Sequence, residues 1–261
     1  MRPRPVYIFS DTHLGAAPAE VETAVLAFLR HVRTQASALL INGDLFDFWF
    51  EWRSVIPRRG FRVVAALADI QEAGVPVTLI GGNHDCWGGE VLRKDAGISY
   101  QLGAWEGTLA GWRARVEHGD GLRPERDRGY RRLRRVLRHP VSVRLFRAMH
   151  PDWGTRLASL TSHTSRSRHL RDDGVEIRQI GLELLRSRPD LELLVFGHSH
   201  VAALERTPAG GVYANAGAWL DAPTFLRLTE ERIELRRWTG SAEGERLHAI
   251  DRRPEEALAD L

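Results

Sequence analysis

The run VYIFSDTH at residues 6–13 sets four apolar residues against Asp11 and His13, two side-chain types that bind metals. A short apolar run rich in β-branched and aromatic residues reads as a buried strand, and both polar residues fall just past its carboxyl end. The arrangement recurs twice in the first half of the chain. ALLIN at 38–42 leads into Gly43-Asp44, and VPVTLIG at 75–81 leads into Gly82-Asn83-His84-Asp85. Between these runs, Val21 to Arg33 and Phe61 to Glu72 carry apolar residues at helical spacing. Strand, helix and strand in alternation predict an α/β fold with a parallel sheet and right-handed crossovers. In such sheets the loops at the carboxyl ends of the strands meet at one crevice.

The second half is richer in strand-like runs: WRARVEH at 112–118, LELLVFG at 191–197, VAALERT at 201–207, GVYANA at 211–216, TFLRLT at 224–229 and RIELRRW at 232–238. A helical pattern from Asp173 to Arg186 precedes the second of these. The expectation is two sheets packed face to face with helices outside, the second half mostly antiparallel. The tail after Trp238 is polar and is expected to be loosely held.

Composition narrows the class. Of 261 residues, 43% are hydrophobic and 27% charged, as in globular domains, and no apolar run is long enough to cross a bilayer. No signal-peptide core follows Met1, so a cytoplasmic protein is expected. A single cysteine, Cys86, excludes an internal disulfide and reads as a small buried apolar residue. The formal charge is only +3, yet between Leu122 and Arg171 there are fourteen arginines against three acids. Within that segment Tyr130, Leu133, Val136 and Leu137, then Val141, Leu145, Phe146 and Met149, fall at helical spacing, and Pro140 and Pro151 punctuate it. Two or three short helices are expected over 122–171, as an insertion in a single domain spanning 1–261.

Two further motifs, His118-Gly-Asp120 and Gly197-His198-Ser-His200, also close strand-like runs. Five strand ends could therefore bring Asp11, His13, Asp44, Asn83, His118, His198 and His200 into one pocket. Carboxylate, amide and imidazole together suit Mn²⁺, Fe or Zn²⁺ rather than Ca²⁺. Two such ions roughly 3.5–4 Å apart can activate a bridging water as nucleophile and clamp the phosphoryl oxygens it attacks. Asp44 is read as the shared ligand. Each motif alone is common by chance, and it is their joint occurrence in this order that carries the reading.

These residues resemble the calcineurin-like metallophosphoesterase family, whose pattern is D-x-H, G-D, G-N-H-D/E, a later H and G-H-x-H. The resemblance spans roughly residues 5–217 and implies a four-layer αββα sandwich of two mixed sheets flanked by helices. It implies one metal on Asp11, His13, Asp44 and His200 and a second on Asp44, Asn83, His118 and His198, with Mn²⁺ foremost. It also makes His84 the acid that protonates the leaving oxygen, with Asp47 as its carboxylate partner.

A narrower resemblance lies in GDLFDFWFEW, HGDGL and GYRRLRRVLRHPVSVRLFRAMHPDWGTRLA. These are similar to the UDP-2,3-diacylglucosamine pyrophosphatase group of lipid A synthesis, which releases UMP and 2,3-diacylglucosamine 1-phosphate and covers the acyl chains with a helical lid. In one departure, the best-known members have Arg where this chain has His84. The implied partners are a lipid-linked nucleotide and, peripherally, the inner face of the cytoplasmic membrane, without nucleic acid. Tyr130, Arg131, Arg132, Arg135, Phe146 and Met149 become candidate substrate contacts, the arginines for phosphates and the apolar residues for acyl chains. Trp49, Phe50 and Trp52 could line a pocket or pack in the core. Asn215 is expected to support the pocket by hydrogen bonding, and His139, His150, His163 and His169 are expected at the surface. The competing readings are a metallophosphoesterase of another phosphodiester, nucleotide or phosphomonoester, and a scaffold that keeps the fold without catalysis.

Overall fold

The computed structural model describes residues 3–158, 174–241 and 243–252. Strands β1 (Val6–Phe9), β2 (Ala38–Asn42) and β3 (Val77–Gly81) run parallel, joined through helices α1 (Ala19–Gln35) and α2 (Phe61–Glu72). Strand β4 (Ser99–Leu102) extends this sheet beside β3, after one turn of π-helix at Val91–Asp95. On the other side β1 pairs antiparallel with β10 (Thr224–Leu228), followed by β11 (Arg232–Arg237) and β12 (Glu245–Asp251), which makes seven strands. The second sheet has five strands in the order β5 (Trp105–Leu109), β6 (Trp112–Val116), β7 (Leu193–Phe196), β9 (Val212–Asn215) and β8 (Ala203–Arg206).

Alternation along each strand sorts the core into layers. In β1, Tyr7 and Phe9 face α1 and α2, while Val6 and Ile8 face the second sheet. Leu39 and Ile41 of β2 take the helix side and Leu40 the inter-sheet side. Helix α1 meets its sheet through Val25, Leu26, Phe28, Leu29 and Val32, with Glu20 and Glu22 in its first turn and Arg33 in its last, which suits the helix dipole. The far face of the second sheet is covered by α6 (Val175–Ser187) through Ile177 and Leu185. Helix, sheet, sheet and helix therefore stack in four layers.

One expectation is corrected. The tail is not loose over Glu245–Asp251, because β12 pairs with β11 along its length. The second half is mostly antiparallel as expected, with two parallel pairings in the five-stranded sheet, β6 with β7 and β7 with β9. The Arg-rich segment forms α3 (Arg128–Leu137), α4 (Pro140–Ala148) and a helix α5 described from 151 to 158, with Pro140 opening α4. Residues 159–171 of that segment, including His163 and His169, lie outside the described residues.

Phe28 sits at the centre of the helix-side core, with ring centroids of Phe225, Trp219 and Trp238 at 4.8, 5.2 and 5.4 Å and no solvent exposure. Phe28→Ala should cost about 3–5 kcal/mol of unfolding free energy, read by urea denaturation, because the aromatic ring of neighbours cannot collapse onto the void.

Candidate metal centre

The loops that follow β1, β2, β3, β6 and β7 meet at the carboxyl ends of both sheets. They are laced to one another by backbone bonds, from Asp11 N–H to Gly43 O (3.1 Å), His13 N–H to Asp44 O (3.0 Å) and Gly197 N–H to His118 O (3.0 Å). Among the described residues six non-glycine residues have positive φ, and five of them are Asp11, His13, Asp44, His198 and His200. The left-handed region costs an ordinary side chain of order 1–3 kcal/mol. Here it is adopted by five candidate ligands.

Ligand-type atoms of Asp11, His13 and His200 lie within 4.8 Å of one another, and so do those of Asp44, His118 and His198, and of His13, Asp44 and His84. Asp44 is central: its Oδ2 is 3.2 Å from His118 Nε2 and 3.9 Å from His13 Nε2, and its Oδ1 accepts the His84 N–H at 2.9 Å. His118 Nδ1 lies 2.8 Å from the Asn42 carbonyl, a bond that leaves Nε2 facing the Asp44 carboxylate. His13 Nε2 faces His200 Nε2 at 3.2 Å. Asp11 Oδ1 and Asn83 Oδ1 are buried and make no hydrogen bond among the described residues. Lone pairs turned toward one another out of water are what cations would satisfy. The donor set of two carboxylates, one amide and imidazoles fits a pair of divalent metals.

Electrostatics agree with that fit. Burial opposes the charge on His118, but the Asp44 carboxylate outweighs it and holds the imidazole well above its usual pKa. Burial likewise works against Asp44, yet His118 and His84 keep it well below the usual carboxylate range. Burial pushes His13 down to about 3, so it stays neutral and able to donate a lone pair. His118 and Asp44 thus favour each other's charged forms, and a metal between them would compete with a proton.

Two glycines make room for this packing. A Cβ on Gly82 would stand 2.2 Å from Asp44 Oδ1 and 2.8 Å from His118 Nε2, and one on Gly43 would stand 2.3 Å from His118 Nδ1.

Several supporting residues were not distinguished by spacing. Asp85 is fully buried, and its carboxylate accepts the N–H groups of Gly82 (2.7 Å), Leu45 (2.8 Å) and Asp44 (3.3 Å). Burial and the charge of Asp44 push its pKa up to about 6, against the pull of those N–H groups. The last residue of the G-N-H-D motif was visible, but not its partners on another loop. Asn215 acts as expected from its pattern, donating to Gly197 O and Ser199 Oγ, each at 3.1 Å. His84 Nδ1 lies 2.9 Å from the main-chain carbonyl of Asp47 and 3.7 Å from its carboxylate, so the nearer of these two contacts is to the backbone.

The insertion candidates are distributed differently. Tyr130 donates to Asp120 Oδ2 at 2.6 Å, and Arg131 spends its guanidinium on the carbonyls of Gly121, Arg123 and Pro124. Arg132 and Arg135 are exposed on α3. Phe146 packs on Phe50 (4.8 Å) and Trp52 (6.0 Å), and the Met149 carbonyl accepts the Trp52 indole N–H at 3.3 Å. Trp49 belongs to the core, stacked on Phe46 at 4.5 Å. Cys86 is buried, with its thiol pushed up to about 12, chiefly by burial.

The profile of calcineurin-like phosphoesterases matches residues 4–202, from β1 through the last of these motifs. The chain belongs to this family. It is accordingly a metal-dependent hydrolase of phosphoric esters. Among curated relatives, a UDP-2,3-diacylglucosamine hydrolase of Porphyromonas gingivalis is 32% identical over 75% of this chain and 83% of its own length. One of the same name from Serratia proteamaculans is 28% identical over 87% of this chain and 95% of its own. Among solved structures, a dimetal phosphatase from Danio rerio aligns with a TM-score of 0.50 at 12% identity, covering 96% of this chain and 99% of that one. A Vps29 mutant from Entamoeba histolytica also reaches 0.50, at 14% identity over 95% and 99% of the two chains. At these identities the structural likeness is one of fold.

Gly82→Ala should weaken Mn²⁺ binding by at least about a hundredfold in calorimetric titration, since the added methyl occupies the space between Asp44 and His118; overpacking costs about 1–3 kcal/mol even before a ligand is displaced. Mn²⁺ added to the metal-free protein in weak buffer at pH 7 should release protons, since His118 and His200 are both held above their usual pKa by buried carboxylates, and apparent affinity should fall as pH drops and protons compete. A titration without proton release would contradict an imidazolium at His118.

Proposed function

We propose that this phosphoesterase cleaves the pyrophosphate of UDP-2,3-diacylglucosamine, releasing UMP and 2,3-diacylglucosamine 1-phosphate. The observation that carries the reading is a groove of about 730 Å³ that begins at Asp47, beside the metal centre. It continues along Phe48, Trp52 and Ile56 and is bordered by Arg58 and Arg156. An apolar wall leading away from a phosphoesterase centre, with guanidinium groups along it, suits a diphosphate attached to acyl chains. The name shared by the curated relatives describes a substrate of that kind.

In this reading Asp11, His13, Asp44 and His200 would hold one divalent cation, and Asp44, Asn83, His118 and His198 the other, Mn²⁺ being the first choice and Fe or Zn²⁺ compatible with the same donors. Such a pair, when bound, supplies an activated water and charge stabilisation for the phosphoryl group. His84 would deliver a proton to the departing phosphate oxygen, its ring fixed by the Asp47 carbonyl at Nδ1. The left-handed loops hold these groups in place before substrate arrives, so little reorganisation is left for the reaction itself.

Association with the cytoplasmic membrane face would be peripheral. Among the described residues no helix is long and apolar enough to cross a membrane. Leu145 and Trp153 of the insertion are 68% and 75% exposed, beside the exposed Arg144 and Arg147. Apolar residues set among arginines are suited to an anionic lipid surface.

The test is hydrolysis of UDP-2,3-diacylglucosamine by metal-stripped protein with Mn²⁺ restored, beside a generic aryl phosphodiester. UMP release that requires Mn²⁺ and outpaces the generic ester by at least about a hundredfold, some 2.7 kcal/mol in transition-state binding, is expected. Cleavage of the aryl ester without UMP release would move the chain to another phosphodiester, with the metal centre intact.

A further inference from the structure

Asp120 follows His118 by two residues, and its side chain is 9% exposed. Helix α3 of the insertion is built around it. Tyr130 donates to Asp120 Oδ2 at 2.6 Å, and Arg134 Nη1 donates to the same oxygen at 3.1 Å and to the Asp120 carbonyl at 3.0 Å. Arg138, which ends the helix, places Nη2 3.7 Å from Asp120 Oδ2 and 3.5 Å from the carbonyl of Gly82. The Trp87 indole donates to the Leu137 carbonyl at 3.1 Å. The last turn of α3 is thus fastened to two loops, one carrying His118 and the other carrying Asn83.

A carboxylate this buried is stable only with its charge compensated, and among the described residues the groups that compensate it come from α3 and its C-terminal cap, Arg138. The metal centre, for its part, depends on where the same two loops stand, since the Gly82 backbone sits against Asp44 and His118. We propose that Asp120 is a positioning residue that couples α3 to the metal centre, so that seating of the insertion helix and retention of metal at His118 and Asn83 stabilise each other. This rests on the two-metal reading of the site but not on the identity of the substrate. By reciprocity, whatever factor α3 contributes to metal affinity, metal contributes to the seating of α3.

The experiment is hydrogen-exchange mass spectrometry of the full chain with and without Mn²⁺, alongside Mn²⁺ titrations, for wild type, Asp120→Asn and Tyr130→Phe. Tyr130→Phe removes only the hydroxyl that donates to Asp120 and serves where Asp120→Asn does not fold. In wild type, Mn²⁺ should slow exchange over 128–137. In the variants that slowing should vanish and the weaker Mn²⁺ site should lose about tenfold in affinity, the scale on which partners of metal ligands act. A helix α3 whose exchange ignores Mn²⁺ in wild type, while Mn²⁺ binds normally, would reduce Asp120 to a structural anchor and overturn the coupling alone. Absence of Mn²⁺ binding to wild type would overturn the coupling and the metal reading together. UMP release is a separate assay, so the substrate assignment can fail with this inference standing.

Discussion

The Asp85 carboxylate draws main-chain N–H groups from both the loop after β2 and the loop after β3, with no water able to substitute for it in a fully buried position. Unpaired, each of those groups would cost about 1–3 kcal/mol. That one side chain fixes the separation of the Asp44 loop from the Asn83 loop. The remainder of the centre is organised by distances measured from there: the Asp44 carboxylate reaches His118, His118 reaches the Asn42 carbonyl, and the second sheet is thereby held in register with the first. Asn42 also donates to the Glu117 carbonyl, a second bond across the same seam.

Strain and electrostatic conflict are concentrated in the same few residues. Five candidate ligands adopt left-handed backbone, and buried groups of like charge, such as Asp11 and Asp44, face into one space. A fold selected for stability alone would relax both features. Their persistence within a well-packed four-layer sandwich indicates that surrounding structure over-determines these loops, as expected where a pocket is shaped in advance of what it binds.

Much of this was legible in the residues themselves. β2 and α2 were bounded to the residue by their apolar periodicity, and the ligand candidates lie where strand ends predicted them. β4, β5 and β12 were not seen, because Ser99–Leu102, Trp105–Leu109 and Glu245–Asp251 carry no apolar run, and the last two are mostly exposed. Their pairing is decided by a neighbouring strand rather than by local composition. For the same reason Asp85 and Asp120 appeared only as letters in a motif. Their partners lie on other loops, and spacing along a chain does not encode a hydrogen bond across it. Tyr130 and Arg131 looked available for a substrate for a similar reason: an arginine engaged with carbonyls reads the same as one left to solvent.

The placement of β1 also bears on how the chain reaches this state. Its parallel neighbour β2 is made soon after it, but its other edge is covered by β10, with Val6 opposite Leu228. During synthesis the most buried strand of the larger sheet therefore waits, with one row of backbone groups open, until almost the whole domain has emerged. Pairing across that distance is slow, and an open edge of Val, Tyr, Ile and Phe invites association with other chains in the interval. The half-finished domain, with that edge open, is more exposed to aggregation than the native one.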